Sequence, residues 1–430
     1  MPQLLDAIDT DAVLPRRTGV VVIGGGIAGV STALALAEAG VAVTLLEKGR
    51  VGAEQSSRNW GWCRTMGRDL AEVPLAIESV RQWDRMAERV GADVGFRRAG
   101  TVYVAQTRRE MDAHAAWLEL ARDYQLGAHL LDAAKTAALL PRAARRFAGS
   151  LHTPSDGRAE PQHAVPAMAA AARRLGAAVL EGCAARGLDL VAGRVAGVVT
   201  ERGRVACDAV VLAGGAWSRL FCGNQGVEFP QLKVLGSVFR TTPMDGPSQS
   251  VGAADWAFRK RADGGYTIAQ RNNMLTPIVP DSFRLLPKFA GSFVQHRREL
   301  SLRLDGRFAA EWRTPRRWAL DGPSPFEAMR VLDPAPSQAS LAFGRKQLVR
   351  AFPGFARMQV AGSWGGLIDV TPDGVPVISA VQAVPGFHLA SGFSGHGFGI
   401  GPGAGRLMAD LVTGAAPIVD PTPFRFERFS

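Results

Sequence analysis

Between Val20 and Glu47 the chain runs strand, glycine turn, helix, strand and acid, an order that few folds accommodate. Val20-Val21-Val22-Ile23 is a β-branched run suited to a parallel strand buried on both faces. Gly24, Gly26 and Gly29 follow at GxGxxG spacing, and Val30 to Ala39 reads as a helix of small residues stopped by Gly40. Val41 to Leu46 is a second buried strand, and it ends on Glu47. The first glycine makes a tight turn, the second lets backbone N–H groups approach a pyrophosphate, and the third lets the helix pack closely on the strand. The phosphates then sit at the positive end of the helix. Ile27 and Ala28 complete this cradle, with Lys48 beside its acid. Glu47, eighteen positions after Gly29, suits the two adenosine ribose hydroxyls. A lone GxGxxG is weak evidence, but the complete ordered unit indicates a dinucleotide site. It does not by itself separate NAD from FAD.

At 430 residues the chain has room for two or three domains, and 47% apolar residues supply a large core. Four cysteines, Cys63, Cys183, Cys207 and Cys222, stand far apart without metal-ligand spacing, so no metal and a reducing compartment are expected. The net charge of +11 comes from scattered arginines with no aromatic interleaving. That argues against a nucleic-acid partner and favours a plain solvated basic surface, with a field that steers an anionic substrate as the alternative reading. Arg16-Arg17 precedes an apolar run, and Gly19 to Ala37 carries no charge. The strand–turn–helix reading of that run argues against an export signal and a membrane span, and Met1 to Asp11 lacks the apolar core of a signal peptide. A cytoplasmic protein is expected.

Further motifs follow: Ser56-Ser57-Arg58-Asn59 through Arg64; Asp208 to Ser218, with Gly214-Gly215 and Trp217; Trp364 to Gly374; and Gly392-Phe-Ser-Gly-His-Gly-Phe398. With the dinucleotide unit, these blocks resemble the D-amino acid oxidase superfamily of FAD-dependent oxidoreductases, in the glycine oxidase, sarcosine oxidase and gamma-glutamylputrescine oxidase branch. The resemblance spans most of the chain. It implies an α/β fold, with a Rossmann-like, glutathione-reductase-type FAD domain and an α+β substrate domain built on a large antiparallel sheet. It also implies oxidation of the C–N bond of a small amine or amino acid, N-substituted ones included, with a hydride equivalent passing to flavin N5. The flavin carries that chemistry, and the protein positions the substrate.

Carried onto this sequence, the resemblance adds Ser56, Ser57, Arg58, Gly214, Trp217, Gly366, Gly392, Ser394, Gly395, His396 and Gly397 to the cofactor site. Sarcosine oxidase-like proteins often tether flavin to a cysteine where this chain has Gly366, so FAD is expected to be non-covalent. Glycine oxidase and D-amino acid dehydrogenases carry a carboxylate-clamping arginine where this chain has Ile368, followed by Asp369. That departure favours an amine, with Asp369 as ammonium partner; the plainer reading of a buried Asp is a structural hydrogen bond. The lysine that promotes oxygen reaction aligns loosely with Thr267, so oxygen and another electron carrier both remain open as acceptor. Arg64 is the candidate carboxylate fork. Asn59 is expected near the flavin edge, and His396 is either catalytic or a structural histidine. Trp60 and Trp62 are either cavity wall or core.

Pro74 to Val90 reads as one amphipathic helix with Ala76, Val80, Trp83, Ala87 and Val90 inward. Helices are also expected over Arg109 to Leu126, over Gln162 to Leu175 with Pro166 as a kink or true start, and from about Gly403 to Val412. Lys233 to Arg240, Trp256 to Lys260 and Tyr266 to Ala269 alternate as half-exposed antiparallel strands. The expected division places residues 1–91, 149–230 and 353–430 in a discontinuous FAD domain, and 92–148 with 231–352 in the substrate domain. Two other functions stay open: a hydroxy-acid flavodehydrogenase, and a flavoprotein subunit of a multi-subunit electron-transfer complex.

Overall fold

In the computed structural model, residues 5–271, 274–297 and 299–429 are described. The first four positions of the expected N-terminal segment, and the last of the chain, lie outside the described residues.

Strand β1 (Val20–Ile23), helix α1 (Ile27–Glu38) and strand β2 (Val43–Leu46) form where the sequence places them. They are the centre of a six-stranded sheet ordered Val377–Ala380, Phe387–Ser391, Ala209–Leu212, β1, β2, Ala178–Leu180. Every neighbouring pair is parallel except Val377–Ala380 with Phe387–Ser391. Their β-branched and leucine side chains are buried on both faces, which explains the unbroken apolar runs. Helix Gly397–Thr413 packs along α1 because it carries glycines at the contact. A methyl on Gly401 would stand 2.4 Å from Ile27 Cγ1, and one on Gly405 would stand 2.3 Å from Ser31 Cβ.

The second large sheet has ten strands. Its centre is the long antiparallel pairing of Leu232–Thr241 with Val360–Val370, in which Val234 faces Ile368 and Gly236 faces Gly366. Two pairs in this sheet are parallel, Ser250–Gly252 with Thr101–Ala105 and Met274–Pro277 with Leu300–Arg303. The expected antiparallel sheet is therefore mixed. Strands Gly149–Thr153 and Val360–Val370, drawn on the FAD side of the expected boundaries, both pair within this sheet.

Several local expectations change. The strands expected to be half-exposed are largely buried, because Leu341 and Leu348 of helix Gln338–Ala351, with Phe352 and Phe355, pack against their outer face. The 74–90 helix breaks at Arg85 into Val73–Asp84 and Met86–Val90, and Met86 rather than Ala87 turns inward. Arg108–Leu120 ends earlier than expected, and its start is fixed by a capping box between Thr107 and Glu110. Helix Pro161–Arg174 runs through Pro166. The carbonyl of Gln162, which the proline ring leaves without a helical donor, accepts the Asp6 N–H at 3.2 Å. The last helix starts at Gly397 rather than Gly403, since Ser79 and Trp83 hydrogen-bond the Ile400 and Gly399 carbonyls around Pro402. Among the described residues, no helix is long and apolar enough to cross a membrane, and no His/Cys/Asp/Glu cluster could hold a metal.

Candidate active site

The C-terminal end of β1, the start of α1 and the Leu232–Thr241/Val360–Val370 pairing enclose a cavity of about 690 Å³. Its volume and mixed lining suit a bound cofactor with a small substrate. At one end Gly24 has φ +109°, and a methyl there would stand 2.4 Å from the Ala213 carbonyl oxygen. Gly26 caps α1 with no side chain, and a methyl there would stand 3.2 Å from Ser56 Oγ. Ser56 Oγ accepts the Ile27 N–H at 2.8 Å, and Ala28 lines the cavity beside it. Gly29 does not reach the cavity; it sets how closely α1 approaches β1.

Glu47 closes this end. Its two carboxylate oxygens accept the N–H groups of Gly25 and Gly49, each at 2.7 Å. Burial raises its pKa to about 7 despite these two amides, with Glu54 adding to the rise. Lys48 donates to Glu54 at 2.6 Å and to the Met329 and Arg330 carbonyls, and its ammonium lies 4.6 Å from the Trp217 ring centre. Trp217 Nε1 donates to Glu54 in turn, so Lys48, Glu54 and Trp217 form one wall, with Gly214 nearby.

Mid-cavity, Arg58 is only 6% exposed; its Nε donates to the Ala53 carbonyl at 3.2 Å, one terminal guanidinium nitrogen donates to the Gly365 carbonyl and to Asp333, and the other terminal nitrogen has no partner among the described residues. Trp364 Nε1 donates to the Arg58 carbonyl. Gly366 lies so close that a methyl would stand 3.3 Å from Arg58 Cβ. Ser57 is buried behind this layer and does not line the cavity. Asn59 bridges its own loop, donating to the Ser56 carbonyl and accepting from Gly61 N–H, both at 2.6 Å.

Asp369, 2% exposed, accepts at Oδ2 from Gly392 N–H at 2.8 Å, from Gln231 at 3.0 Å and from Ser391 at 3.4 Å. Burial raises its pKa against these donors. The side chain expected to meet a substrate ammonium lines the cavity and also holds the loop at Gly392, the structural hydrogen bond that its burial calls for. Gly392 itself sits behind the cavity at φ +78°, while Ser394, Gly395, His396 and Gly397 line it. Thr267 is buried and does not line it.

The far end holds residues that sequence reasoning missed. Tyr103 has two guanidinium groups near its ring, with Arg271 3.9 Å and Arg64 5.5 Å from the ring centre. Arg64 also donates to the Met66 carbonyl, and Arg271 to the Ala253 carbonyl at 3.4 Å. Burial lowers the pKa of Arg271, and the charge of Arg64 adds to the fall. Among the described residues, neither arginine has a carboxylate within salt-bridge distance. Trp60 and Trp62, 5.5 Å apart between ring centres, form the adjoining apolar wall. Arg271 follows the Tyr266–Ala269 strand by two residues, so a cation at the end of a buried strand was the available signal.

These features fit the adenosine, pyrophosphate and ring system of FAD. The fit rests on a cradle that side chains would block, a buried acid, Glu47, at the end of the second strand and an unpartnered guanidinium nitrogen on Arg58.

The family model for FAD-dependent oxidoreductases, DAO, matches residues 19–411. The chain is 27% identical to 4-methylaminobutanoate oxidase (formaldehyde-forming) of Paenarthrobacter nicotinovorans, over 97% of this chain and 46% of that protein. It therefore spans about half the length of that relative. It is 25% identical to glycine oxidase of Pseudomonas aeruginosa, over 94% of this chain and 97% of that one. The structure of L-amino acid deaminase from Proteus myxofaciens in complex with anthranilate superimposes with a TM-score of 0.96 at 33% identity, covering 100% of this chain and 97% of that one.

Proposed function

The chain belongs to the DAO family of FAD-dependent oxidoreductases, and from that premise we propose that it oxidises the C–N bond of a small amino acid or N-substituted amino acid. The observation that carries the reading is the pair of guanidinium groups, Arg64 and Arg271, beside Tyr103, which among the described residues have no carboxylate within salt-bridge distance, Glu299 acting on Arg271 only from further off. Unpaired cations in a partly buried wall are costly, and a substrate carboxylate would neutralise them through charge-assisted hydrogen bonds. The missing arginine at Ile368 is then compensated from a different strand end. The relatives' names, which include an amino acid oxidase, a methylaminobutanoate oxidase and an amino acid deaminase, support the same substrate class.

Bound FAD would supply the two-electron acceptor. Gly24, Gly26, Ile27 and Ala28 would hold its pyrophosphate, Glu47 its ribose, and Arg58, Gly366 and the Ser394–Gly397 loop its ring end. A Rossmann-like reading of the cofactor domain is supported by the parallel order around β1. The two-domain division is kept as a proposal, with Gly149–Thr153 and Val360–Val370 assigned by their sheet to the substrate side. Non-covalent binding is supported by Gly366 and by cysteines that are buried away from the cavity lining. Asp369 takes the role of holding the Gly392 loop, and the tryptophan wall excludes water beside the reacting carbon. Oxygen or another carrier then reoxidises the protein.

The test is ligand perturbation of the flavin spectrum in the holoenzyme. Anthranilate should perturb it, its neutral amide should not, and Arg271→Leu should weaken the anthranilate effect. Equal binding of acid and amide would sink the carboxylate reading.

A further inference from the structure

Behind the arginine–tyrosine end lies a fully buried carboxylate with no part in the site so far. Glu72 is 0% exposed and ends the short turn Leu70–Glu72, which Asp69 caps by accepting the Ala71 N–H. Its oxygens stand 3.4 Å and 3.3 Å from His396 Nδ1. Arg68, 4% exposed, brings NH1 within 3.9 Å of the same carboxylate without completing a hydrogen bond. His396 lines the cavity, and its side chain is 31% exposed there. With Nδ1 turned to Glu72, Nε2 is the nitrogen left for the cavity.

We propose that Glu72 is a positioning residue that holds His396 with the proton on Nδ1, leaving Nε2 as the acceptor for a proton from the substrate ammonium. The proposal rests on the amino acid reading of the cavity. An ammonium has no lone pair, so an N–H bond must break before the C–N bond can be oxidised. Here that proton forms an Nε2–H bond, the freed pair stays on the amine nitrogen, and the imidazolium charge faces the Glu72 carboxylate. Bound FAD would supply the acceptor for the two electrons and the α-hydrogen, as in the proposed activity.

The charged groups facing His396 are Glu72, Arg68 and Arg64. Burial lowers the His396 pKa, Glu72 opposes the fall, and Arg68 and Arg64 add to it. The ring is thus neutral, and able to accept, at neutral pH. Burial alone would raise the Glu72 pKa; a protonated His396 lowers it most, and the hydrogen bond to Nδ1 and the charges of Arg68 and Arg64 lower it further, to below the usual carboxylate value. A neutral imidazole against an ionised carboxylate favours the Nδ1–H tautomer.

A purely structural staple between helix Val73–Asp84 and helix Gly397–Thr413 is the rival. Ser79 and Trp83 already bond that helix, so the rival predicts little beyond a change in Tm for Glu72→Gln. Two readouts separate them. The first is nitrogen NMR of ¹⁵N-histidine-labelled wild-type holoenzyme, with His396 assigned by His396→Gln. The expected spectrum shows a protonated Nδ1 and a bare Nε2, and a protonated Nε2 in the neutral ring overturns the proposal. This readout needs no substrate, so it stands even if no amine reduces the flavin.

The second readout is anaerobic flavin reduction against pH with the best amino acid or N-substituted amino acid substrate. His396→Gln should slow reduction by about 10²-fold, the low end for general acid–base catalysis. Glu72→Gln should slow it roughly tenfold and move the acid limb to lower pH, because the carboxylate no longer supports the imidazolium. An unmoved limb at the parent rate overturns the proposal. Should Glu72→Gln fail to fold, the wild-type tautomer still decides.

Discussion

A methyl group on Gly29 would stand 2.0 Å from the carbonyl oxygen of Gly24. The third glycine of the motif therefore touches the first, and helix α1 can lie on β1 only because Gly29 has no side chain. Gly29→Ala should force the helix away and spoil the cradle. We expect a loss of about 1–3 kcal/mol or more in stability, as for core overpacking, and protein purified with little FAD. Thermal melts and the flavin-to-protein absorbance ratio check this; full FAD occupancy with an unchanged Tm would contradict it.

Glu47→Ala removes the acceptor proposed for the ribose together with the bonds to Gly25 and Gly49. FAD affinity should fall by about 1.5–3 kcal/mol, the range for losing hydrogen bonds to a charged group. Titration of apoprotein with FAD, followed by quenching of flavin fluorescence, measures it.

Arg271→Leu and Arg64→Leu each remove one side of the fork around Tyr103. The loss of a charge-assisted hydrogen bond, about 1.5–3 kcal/mol, corresponds to roughly 10- to 100-fold in kcat/KM for carboxylate-bearing substrates. Amines without a carboxylate should be affected little. Steady-state kinetics on such a pair of substrates gives the comparison, and equal losses on both would mean the arginines do not bind the carboxylate.

The dinucleotide half of this cavity was legible in the sequence because its parts are contiguous. Strand, glycines, helix and Glu47 lie within one stretch, and each residue type has one steric or electrostatic reason to be there. The substrate half was not legible, because Tyr103, Arg271 and Glu72 come from separate segments that only the ten-stranded sheet and the last helix bring near Arg64 and His396. Asp369 illustrates the converse. Its position beside Ile368 suggested a ligand, whereas Gly392 and Gln231, distant in sequence, are its partners. The misjudged strand exposure has the same origin, since helix Gln338–Ala351 covers a face whose alternating pattern read as open.

Arg259 and Glu160, both 1% exposed, form a two-point ion pair at 2.6 Å and 3.0 Å. Burial raises the Glu160 pKa, but Arg259 overrides it and brings it down to about 2 from 4.5. Because the folded value is depressed, this stabilisation is complete above about 4.5 and is lost as pH falls toward 2. Glu160→Leu should cost about 3–5 kcal/mol near neutral pH by stranding the arginine charge, and should flatten the acid side of the stability curve. Urea unfolding between pH 3 and pH 7 tests both statements.

Oxidation of a C–N bond is the central claim, and anaerobic flavin reduction with matched substrates tests it most directly. Purified holoenzyme would be mixed with an α-amino acid, its N-methyl form and the 2-hydroxy acid of the same side chain, across D and L series. The account expects the flavin to bleach with at least one nitrogen-bearing acid, yielding a 2-oxo acid and free ammonia or methylamine, while the matched hydroxy acid leaves it yellow. Bleaching by the hydroxy acid alone, or by no small carboxylate unless another protein chain is supplied, would contradict it.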